Sequence, residues 1–424
     1  MLRIPPEWLW FDLLNQNTGG FRHLDDASGR VVLSSVRTTR QACAGPEISL
    51  DDFLGSNLGP LVRLAGEDGE NAMERRLFML QAAVLSGLSV NPAAPILEAV
   101  RHELNGSITE NRVTADVDEW QEIVRDYGQT YLTTAPVTLL QALIVDLHGV
   151  QLALQRHPDE MIQRKLLQTR ALLAAFTALT VSNMGDLIEA RRWWRTARLA
   201  ADEAADPYTM LWVRGREVVR AGYELRPAPA ILQLVNESEA RQGGAPPDVL
   251  PALYSGKAQT LALSGRHGEA EQALCQVREC FDMLPTSSRH RDSLFDCAEE
   301  NLRFTESFVY SHAGNFTKAQ QAQETALTLY RDSNLRDRAQ IELQRALCFV
   351  RMGDLAQGVL HAQTTIANLP VVHRIRPAAD LAQKVLGAIP AVERHQSWAK
   401  EYGECLGVVF SDQAVDVPPR STRT

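Results

Sequence analysis

The sequence has few cysteines, and they show no pairing pattern. Its 424 residues include six cysteines, and none has the C-x-x-C spacing of a zinc site. Cys275 and Cys280 are five positions apart, and no nearby pair of histidines completes a set of ligands. We therefore expect no metal and no other cofactor, and we expect reduced thiols packed against helices.

Excess positive charge and long apolar runs are also absent. The chain has 43 Lys and Arg against 52 Asp and Glu, a net charge of -9, so overall it has no electrostatic attraction to phosphate backbones or anionic lipids. No apolar run reaches the roughly 18 residues of a membrane span. The first residues contain prolines and acids where a signal peptide needs an apolar core. These absences predict a cytoplasmic protein without a membrane partner.

Catalytic motifs are missing as well. The sequence contains no G-x-S-x-G, no phosphate-binding loop and no H-E-x-x-H. His361 and His373 are not spaced for one helical face, and the acidic pair Glu299 and Glu300 is typical of a helix surface. We therefore predict that the protein is not an enzyme and has no catalytic residues.

What the sequence does contain is a repeated helical hairpin. In NMGDLIEARRWWRTARLAA, Gly185, Ala190 and Ala197 stand at offsets 0, +5 and +12. The same offsets recur nearer the C-terminus, completely at Gly314, Ala319 and Ala326 and in part at Gly265 and Ala270. A glycine that ends one helix, with small residues in the next, allows two helices to pack closely. The pattern predicts an all-α fold, a tetratricopeptide-like solenoid of helical hairpins with a small irregular N-terminal head.

Four regions follow from the distribution of turn-forming residues. Residues 1–72 are broken by glycines and form the irregular head, and 73–158 form a helical connector. Residues 159–410 form the repeat domain, with predicted turns at glycines 185, 222, 265, 314 and 353. Residues 411–424 are polar and predict a disordered tail. In the connector, the helix after Pro136 is apolar almost all round, so we expect it between two neighbours.

Several segments carry a resemblance to a known family. They are DVDEWQEIVRDYGQTYLTTAPVTLLQALIVDL, GDLIEARRWWRTARLAADEAAD, ALSGRHGEAEQAL and RDRAQIELQRALCFVRMGDL, with MERRLF at 73–78. Together they resemble the C-terminal repeats of actinobacterial helix-turn-helix transcriptional regulators of the phage-repressor, or xenobiotic-response, type. The resemblance covers about residues 73–400. It implies a regulatory protein whose repeats sense a signal.

The head departs from that family. A DNA-binding head needs about five helices with a basic recognition helix. Up to residue 75 this chain has seven basic residues against eleven acidic ones, with acidic pairs at Asp25 and Asp26 and at Asp51 and Asp52. We therefore expect a degenerate or lost DNA-binding domain.

The hairpin register predicts which side chains line the concave inner face, where a solenoid binds its ligands. The count takes each turn glycine as the fifteenth residue of its repeat. It selects Thr209, Trp212, Arg216, Ser255, Gln259, Asn301, Phe304, Phe308 and Gln340. Amides there suit a peptide backbone, aromatic rings suit an apolar side chain, and Arg216 suits a carboxylate. The alternative is that Trp212 and the two phenylalanines belong to the core.

A second candidate surface surrounds two adjacent tryptophans. Trp193 and Trp194 point about 100° apart on a helix, so one is expected in the core and the other at a boundary. Arginines flank them and form a possible basic surface, namely Arg191, Arg192, Arg195 and Arg198. This surface suits an acidic partner or a phosphate-bearing ligand. The alternative is a solvated helix face whose arginine stems cover the indoles.

Three functional hypotheses remain open. The first is a regulatory protein whose repeats bind a peptide, a small signal molecule or a protein partner. The second is a direct DNA-binding regulator with a divergent helix-turn-helix in residues 1–72, and the third is an interaction scaffold. The apolar segments 77–89 and 401–410 further suggest a homodimer.

Overall fold

The computed structural model describes residues 113–284 and 293–410. These residues form fourteen α-helices and no strand, which confirms the all-α prediction. The head at 1–72, the connector up to residue 112, the dimer segment 77–89 and the tail lie outside the described residues. The helices are α1 Val113–Thr130, α2 Pro136–Arg156, α3 Glu160–Met184, α4 Leu187–Ala204, α5 Pro207–Ala221, α6 Ala228–Glu239, α7 Leu250–Leu263, α8 His267–Asp282, α9 Glu299–Ala313, α10 Phe316–Leu329, α11 Leu335–Met352, α12 Leu355–Asn368, α13 Arg376–Ala388 and α14 Ser397–Val409.

From α3 onward the helices pair as hairpins. Each odd-numbered helix from α3 to α13 packs against the even-numbered helix that follows it. The odd-numbered helices also contact one another in sequence and make up the inner layer, here called the inner helices. Short 3-10 turns, Pro247–Val249 and Val371–His373, precede α7 and α13. The hairpin array therefore has a continuous inner face built by one helix of each pair.

Glycines close four of the five predicted turns. Gly185, Gly265, Gly314 and Gly353 have φ between 73° and 99°, in the left-handed region that favours glycine. The fifth prediction was wrong, because Gly222 has a φ of -63° and continues the helical conformation of α5. Leu225, with φ 57°, takes the left-handed conformation there. The turn after α5 is therefore longer than the others.

The small residues of the repeat lie where the paired helices approach. Ala190 and Ala319, five positions after their turn glycines, are fully buried. In the last glycine-closed hairpin, Gly358 takes that place. A Cβ added to it would lie 2.6 Å from Val350 Cγ2 and 2.9 Å from the Ala346 carbonyl oxygen. The repeat signature thus marks close helix packing.

The inner layer closes on itself. The first inner helix, α3, contacts the last, α13. Arg336 in α11 donates hydrogen bonds to the carbonyl oxygens of Tyr131 (3.0 Å) and Thr134 (2.5 Å), which lie between α1 and α2. These long-range contacts enclose the inner face and turn a groove into a cavity.

Helix α2 is less enclosed than expected. Its buried residues lie mainly along one side, and α3 is its main neighbour among the described residues. It is also the one helix of the described ranges that is long and apolar enough to cross a membrane, with 28% of that window buried. A single such helix is weak support for a span, because core helices of soluble proteins share this composition. Asp146 within α2 accepts a 2.5 Å hydrogen bond from the Tyr127 hydroxyl of α1.

The apolar residues of segment 401–410 pack inward. Tyr402 is fully buried and donates a 2.9 Å hydrogen bond to the Ala382 carbonyl oxygen. Leu406 and Phe410 are buried in the same core cluster as α11, α12 and α13. Most of this segment's apolar surface is therefore used within the chain.

Candidate ligand cavity

The inner helices enclose a cavity of about 160 Å³. Helices α3, α5, α7, α9 and α11 contribute to its wall, together with the loops before α2, α7 and α9. Seven of the nine side chains that the repeat register selects lie on this wall. They are Trp212, Arg216, Ser255, Gln259, Asn301, Phe304 and Gln340.

The other two selected side chains lie elsewhere. Thr209 is buried near the start of α5, where its hydroxyl donates a 2.6 Å hydrogen bond to the Asp206 carboxylate that caps this helix. Phe308 is buried and stacks on His312 with ring centroids 4.3 Å apart. It lines a smaller neighbouring pocket with Lys384. Thr209 belongs to the helix framework, because Gly222, from which its register was counted, continues the helix instead of closing it. Phe308 belongs to the core beside the cavity, although its hairpin does close at Gly314.

Aromatic rings form one end of the cavity. Trp212 lies 5.7 Å from Phe176 and 4.9 Å from Phe295, between ring centroids. The indole is 3% exposed, and its Nε1 has no hydrogen-bond partner among the described residues. Since a buried polar group without a partner costs about 1–3 kcal/mol, this donor suits a ligand acceptor. Trp212 is thus both core and cavity wall.

Polar side chains on α7 and α11 face the same space. Ser255 and Gln259, one helical turn apart on α7, have no hydrogen-bond partner for their side chains within the described ranges. Gln340 on α11 donates a 3.2 Å hydrogen bond to the Arg336 carbonyl oxygen of its own helix. Two groups are therefore available to a ligand that needs both donors and acceptors.

Three guanidinium groups also border the cavity. Arg216 lies over the Trp212 ring, 5.5 Å from its centroid, and donates to the Leu294 carbonyl oxygen. Arg220 donates to the Tyr131 hydroxyl at 2.7 Å and the Asn183 amide oxygen at 2.9 Å. Arg220 is not among the residues that the repeat register selects, although it lies four residues after Arg216 on the same helical face.

Arg336 is not among the selected residues either, and it lies four residues before Gln340. Burial, partly offset by Tyr131 and Asp337, lowers the pKa of this guanidinium. The acceptors of its hydrogen bonds are carbonyl oxygens and the His373 ring nitrogen, at 3.2 Å, rather than carboxylates. A selection extended by one helical turn around each chosen residue would have found both arginines.

The pKa values of one carboxyl group and one thiol on the wall, those of Asp248 and Cys297, are shifted towards the neutral form. Burial raises the pKa of Asp248, and its Oδ1 has no hydrogen-bond partner within the described residues. Burial is also the main cause that raises the pKa of Cys297 to about 12, against the opposing effect of Arg216. The protonated Cys297 thiol is a poor nucleophile at neutral pH. The wall therefore offers binding contacts rather than an activated group.

A buried charged cluster holds α5 in position beside the cavity. Glu224 is fully buried and accepts hydrogen bonds from Trp194 Nε1 (2.8 Å) and from Arg226 (2.8 and 3.0 Å). Arg226 also donates to Glu217 at 2.6 Å. Burial by itself lowers the pKa of Arg226, but the two carboxylates outweigh it and raise this pKa. The cluster ties α4, α5 and the turn after α5 together.

Two of the four arginines of the predicted basic surface on α4 form ion pairs. Arg198 is ion-paired with the buried Glu217, and Arg191 donates a 2.7 Å hydrogen bond to the Glu224 carbonyl oxygen. Arg192 forms an exposed 3.0 Å ion pair within its own helix. Only Arg195, among these four, has no charged or hydrogen-bonded partner in the described ranges. As expected, one tryptophan of the adjacent pair, Trp194, is fully buried, and Trp193 is half-buried.

The described residues include no group of three or more His, Cys, Asp or Glu side chains arranged to hold a metal ion. Cys275, Cys280, Cys297, Cys348 and Cys405 are free thiols. No protein-family model, curated protein or solved structure matches this chain.

Proposed function

We propose that this chain is a cytosolic regulatory protein whose tetratricopeptide-like repeats bind a peptide or a small signal molecule in the cavity. One observation carries the proposal: the inner helices bring seven residues from four repeats to one cavity. That wall combines aromatic rings with polar atoms that have no hydrogen-bond partner in the described part of the chain, such as Trp212 Nε1 and Asp248 Oδ1. This combination of apolar surface with a few convergent polar groups is typical of ligand sites.

The size of the cavity limits which ligands can fit. At about 160 Å³ it is close to a cavity known to hold a benzene ring, about 150 Å³. It therefore accepts a small molecule or one side chain of a peptide, rather than a folded domain. A protein partner would have to insert a single side chain or a chain end.

The proposal is tested by thermal-shift screening of the full chain against short peptides and small carboxylic acids. Ligands found with the wild type are then titrated into Ser255→Ala and Gln259→Ala, where alanine preserves helix α7. We expect each substitution to lower the affinity at least about tenfold, because each removes one buried hydrogen bond to the ligand. Gln320→Ala, on the exposed face of α10, is the matched control and should bind like the wild type. Undiminished binding to both cavity variants would refute the site.

The alternative of direct DNA binding rests on residues 1–72, outside the described part of the chain. A gel-shift assay with the DNA upstream of its own gene tests it, and specific binding must weaken steeply with salt. A scaffold role is the remaining alternative. It predicts a protein partner that binds equally well to the wild type and the Gln259→Ala variant.

A further inference from the structure

The residues that directly precede α9 lie against the inner face. We define residues Ser293–Ala298 as the inner segment; they precede α9 directly. Leu294 is 6% exposed and belongs to the core cluster that contains Trp212. Phe295 packs against the same cluster, and both residues line the cavity. The chain therefore places a short piece of its own irregular backbone where a solenoid holds its ligands.

The contacts of the inner segment are those of a bound peptide. The Leu294 backbone N–H donates a 2.7 Å hydrogen bond to the Gly128 carbonyl oxygen of α1. Its carbonyl oxygen accepts a hydrogen bond from Arg216 of α5. Two helices thus hold the backbone of one residue through its donor and its acceptor. Backbone recognition of this kind supplies affinity without depending on sequence.

Specificity comes from the adjacent ring. Phe295 lies 4.9 Å from Trp212 and 5.7 Å from Phe176, edge-on to the latter. A Cβ added to Gly128 would lie 2.6–2.7 Å from two carbons of the Phe295 ring. Gly128 lies inside α1, so the helix surface is recessed at this point by the absence of a side chain. The recess and the two aromatic rings form a pocket for one aromatic side chain.

From these contacts we propose that the inner face is a receptor site for a short turn-forming peptide with an aromatic side chain, and that the inner segment, whose turn is closed by the Asp296 N–H donating 3.1 Å to the Ser293 carbonyl oxygen, occupies this site as an internal ligand. The inference rests on the proposed function: the aromatic pocket adjoins the cavity, and a peptide that enters the pocket displaces the inner segment from the cavity wall. A ligand peptide and the inner segment cannot occupy the site at the same time, because both need the same aromatic pocket and the same Arg216 side chain. Because the inner segment is tethered, its effective concentration at the site is high, and this sets the concentration that an external peptide must exceed to displace it.

The test uses the full chain and a hexapeptide with the sequence of residues 293–298, SLFDSA, in which serine replaces cysteine. Removing the internal ring by Phe295→Ala vacates the pocket, so the labelled hexapeptide should bind this variant at least about tenfold more tightly than the wild type. Fluorescence anisotropy measures both affinities. The peptide SLADSA, which lacks the ring, should not discriminate between the two proteins.

A second substitution locates the binding. Combining Phe295→Ala with Gly128→Ala places a methyl group where the peptide ring must lie, so the gain in affinity should be lost. Combining it with Gly268→Ala instead is the matched control, because nothing lies within 4 Å of a Cβ there. Circular dichroism checks that each variant is folded. Phe295→Leu, which keeps more of the buried volume, repeats the comparison if the alanine variant unfolds.

Equal affinity of the hexapeptide for the wild type and for a folded Phe295 variant overturns the inference, as does binding that Gly128→Ala leaves intact. These outcomes are separable from failure of the proposed function. The hexapeptide series needs no natural ligand, whereas the proposed function fails when the wild type yields no ligand sensitive to Ser255→Ala and Gln259→Ala.

Discussion

Replacing Gly256 in α7 by alanine is expected to destabilise the protein and to separate two helices that carry cavity residues. A Cβ at this position would lie 2.6 Å from Val218 Cγ1, 2.7 Å from the Val219 nitrogen and 2.8 Å from the Val218 carbonyl carbon. Ordinary contacts of a Cβ begin near 3.4 Å, so α5 and α7 must separate by about 0.7 Å. Two of the three atoms are backbone, and a side-chain rotation cannot relieve the overlap.

The expected change in the free energy of unfolding follows from two opposing contributions. Overpacking of a well-packed interface costs about 1–3 kcal/mol, whereas alanine stabilises a helix interior by up to about 1 kcal/mol relative to glycine. The matched variant is Gly268→Ala in α8, where a Cβ would meet nothing within 4 Å. Gly256 lies in the middle of α7 and Gly268 is the second residue of α8, so the gain in helix propensity is at least as large for Gly256→Ala. Overpacking should nevertheless make Gly256→Ala less stable than Gly268→Ala, by up to about 3 kcal/mol.

Urea unfolding followed by circular dichroism measures this difference as a shift of midpoint at constant slope. Trp212 and Arg216 lie on α5, and Ser255 and Gln259 lie on α7, so Gly256→Ala should also weaken ligands that bridge these helices. A Gly256→Ala protein as stable as Gly268→Ala would refute the close approach of α5 and α7.

Three further predictions concern buried polar groups. Glu224→Gln removes one of the two carboxylates that pair with Arg226 and the charged acceptor of Trp194 Nε1, so it should cost about 1.5–3 kcal/mol of unfolding free energy. Glu189→Gln, in an exposed pair, should cost at most about 1 kcal/mol; similar denaturation midpoints would contradict this. Burial lowers the pKa of His312 from 6.5 to about 3, so the folded state excludes a proton that the unfolded chain binds. Stability should therefore fall as the pH drops from 6.5 towards 3, by at most about 1.4 kcal/mol per pH unit, and His312→Phe should flatten this profile of unfolding midpoints; parallel profiles would be inconsistent with a neutral buried ring. The pKa of Cys297 is raised to about 12, so this thiol should react with iodoacetamide at least about tenfold more slowly than the exposed Cys275. Peptide mapping by mass spectrometry measures both rates, and equal rates would count against its burial.

The sequence predicted the fold class and much of the cavity wall from short-range rules. Glycine is favoured where a helix ends in a left-handed turn, and alanine or glycine where two helices touch, so Gly185, Ala190 and Gly314 mark hairpins without reference to distant residues. Once the hairpins are known, helical spacing selects one face. That reasoning brought Trp212, Ser255, Gln259 and four other residues near each other, and it failed for Thr209 where a longer turn shifted the register.

Long-range contacts were beyond such rules. Gly256, Gly268 and Gly128 all lie in helices, and the sequence does not distinguish them. In the structure a neighbouring helix packs against Gly256 and the Phe295 ring against Gly128, whereas Gly268 faces open space. The acceptors of Arg216 and Arg336 are backbone carbonyls 78 and 202–205 positions away, in segments without a recognisable motif.

By itself, then, the sequence determined that this chain is a set of helical hairpins with a polar and aromatic inner face, because both properties depend on neighbours within one or two helical turns. Only the tertiary structure decided that α3 meets α13, that the inner face closes into a cavity, and that residues 294–298 form part of its wall. The physical reason is that superhelical closure depends on the summed packing angles of all the hairpins, and no local pattern encodes that sum.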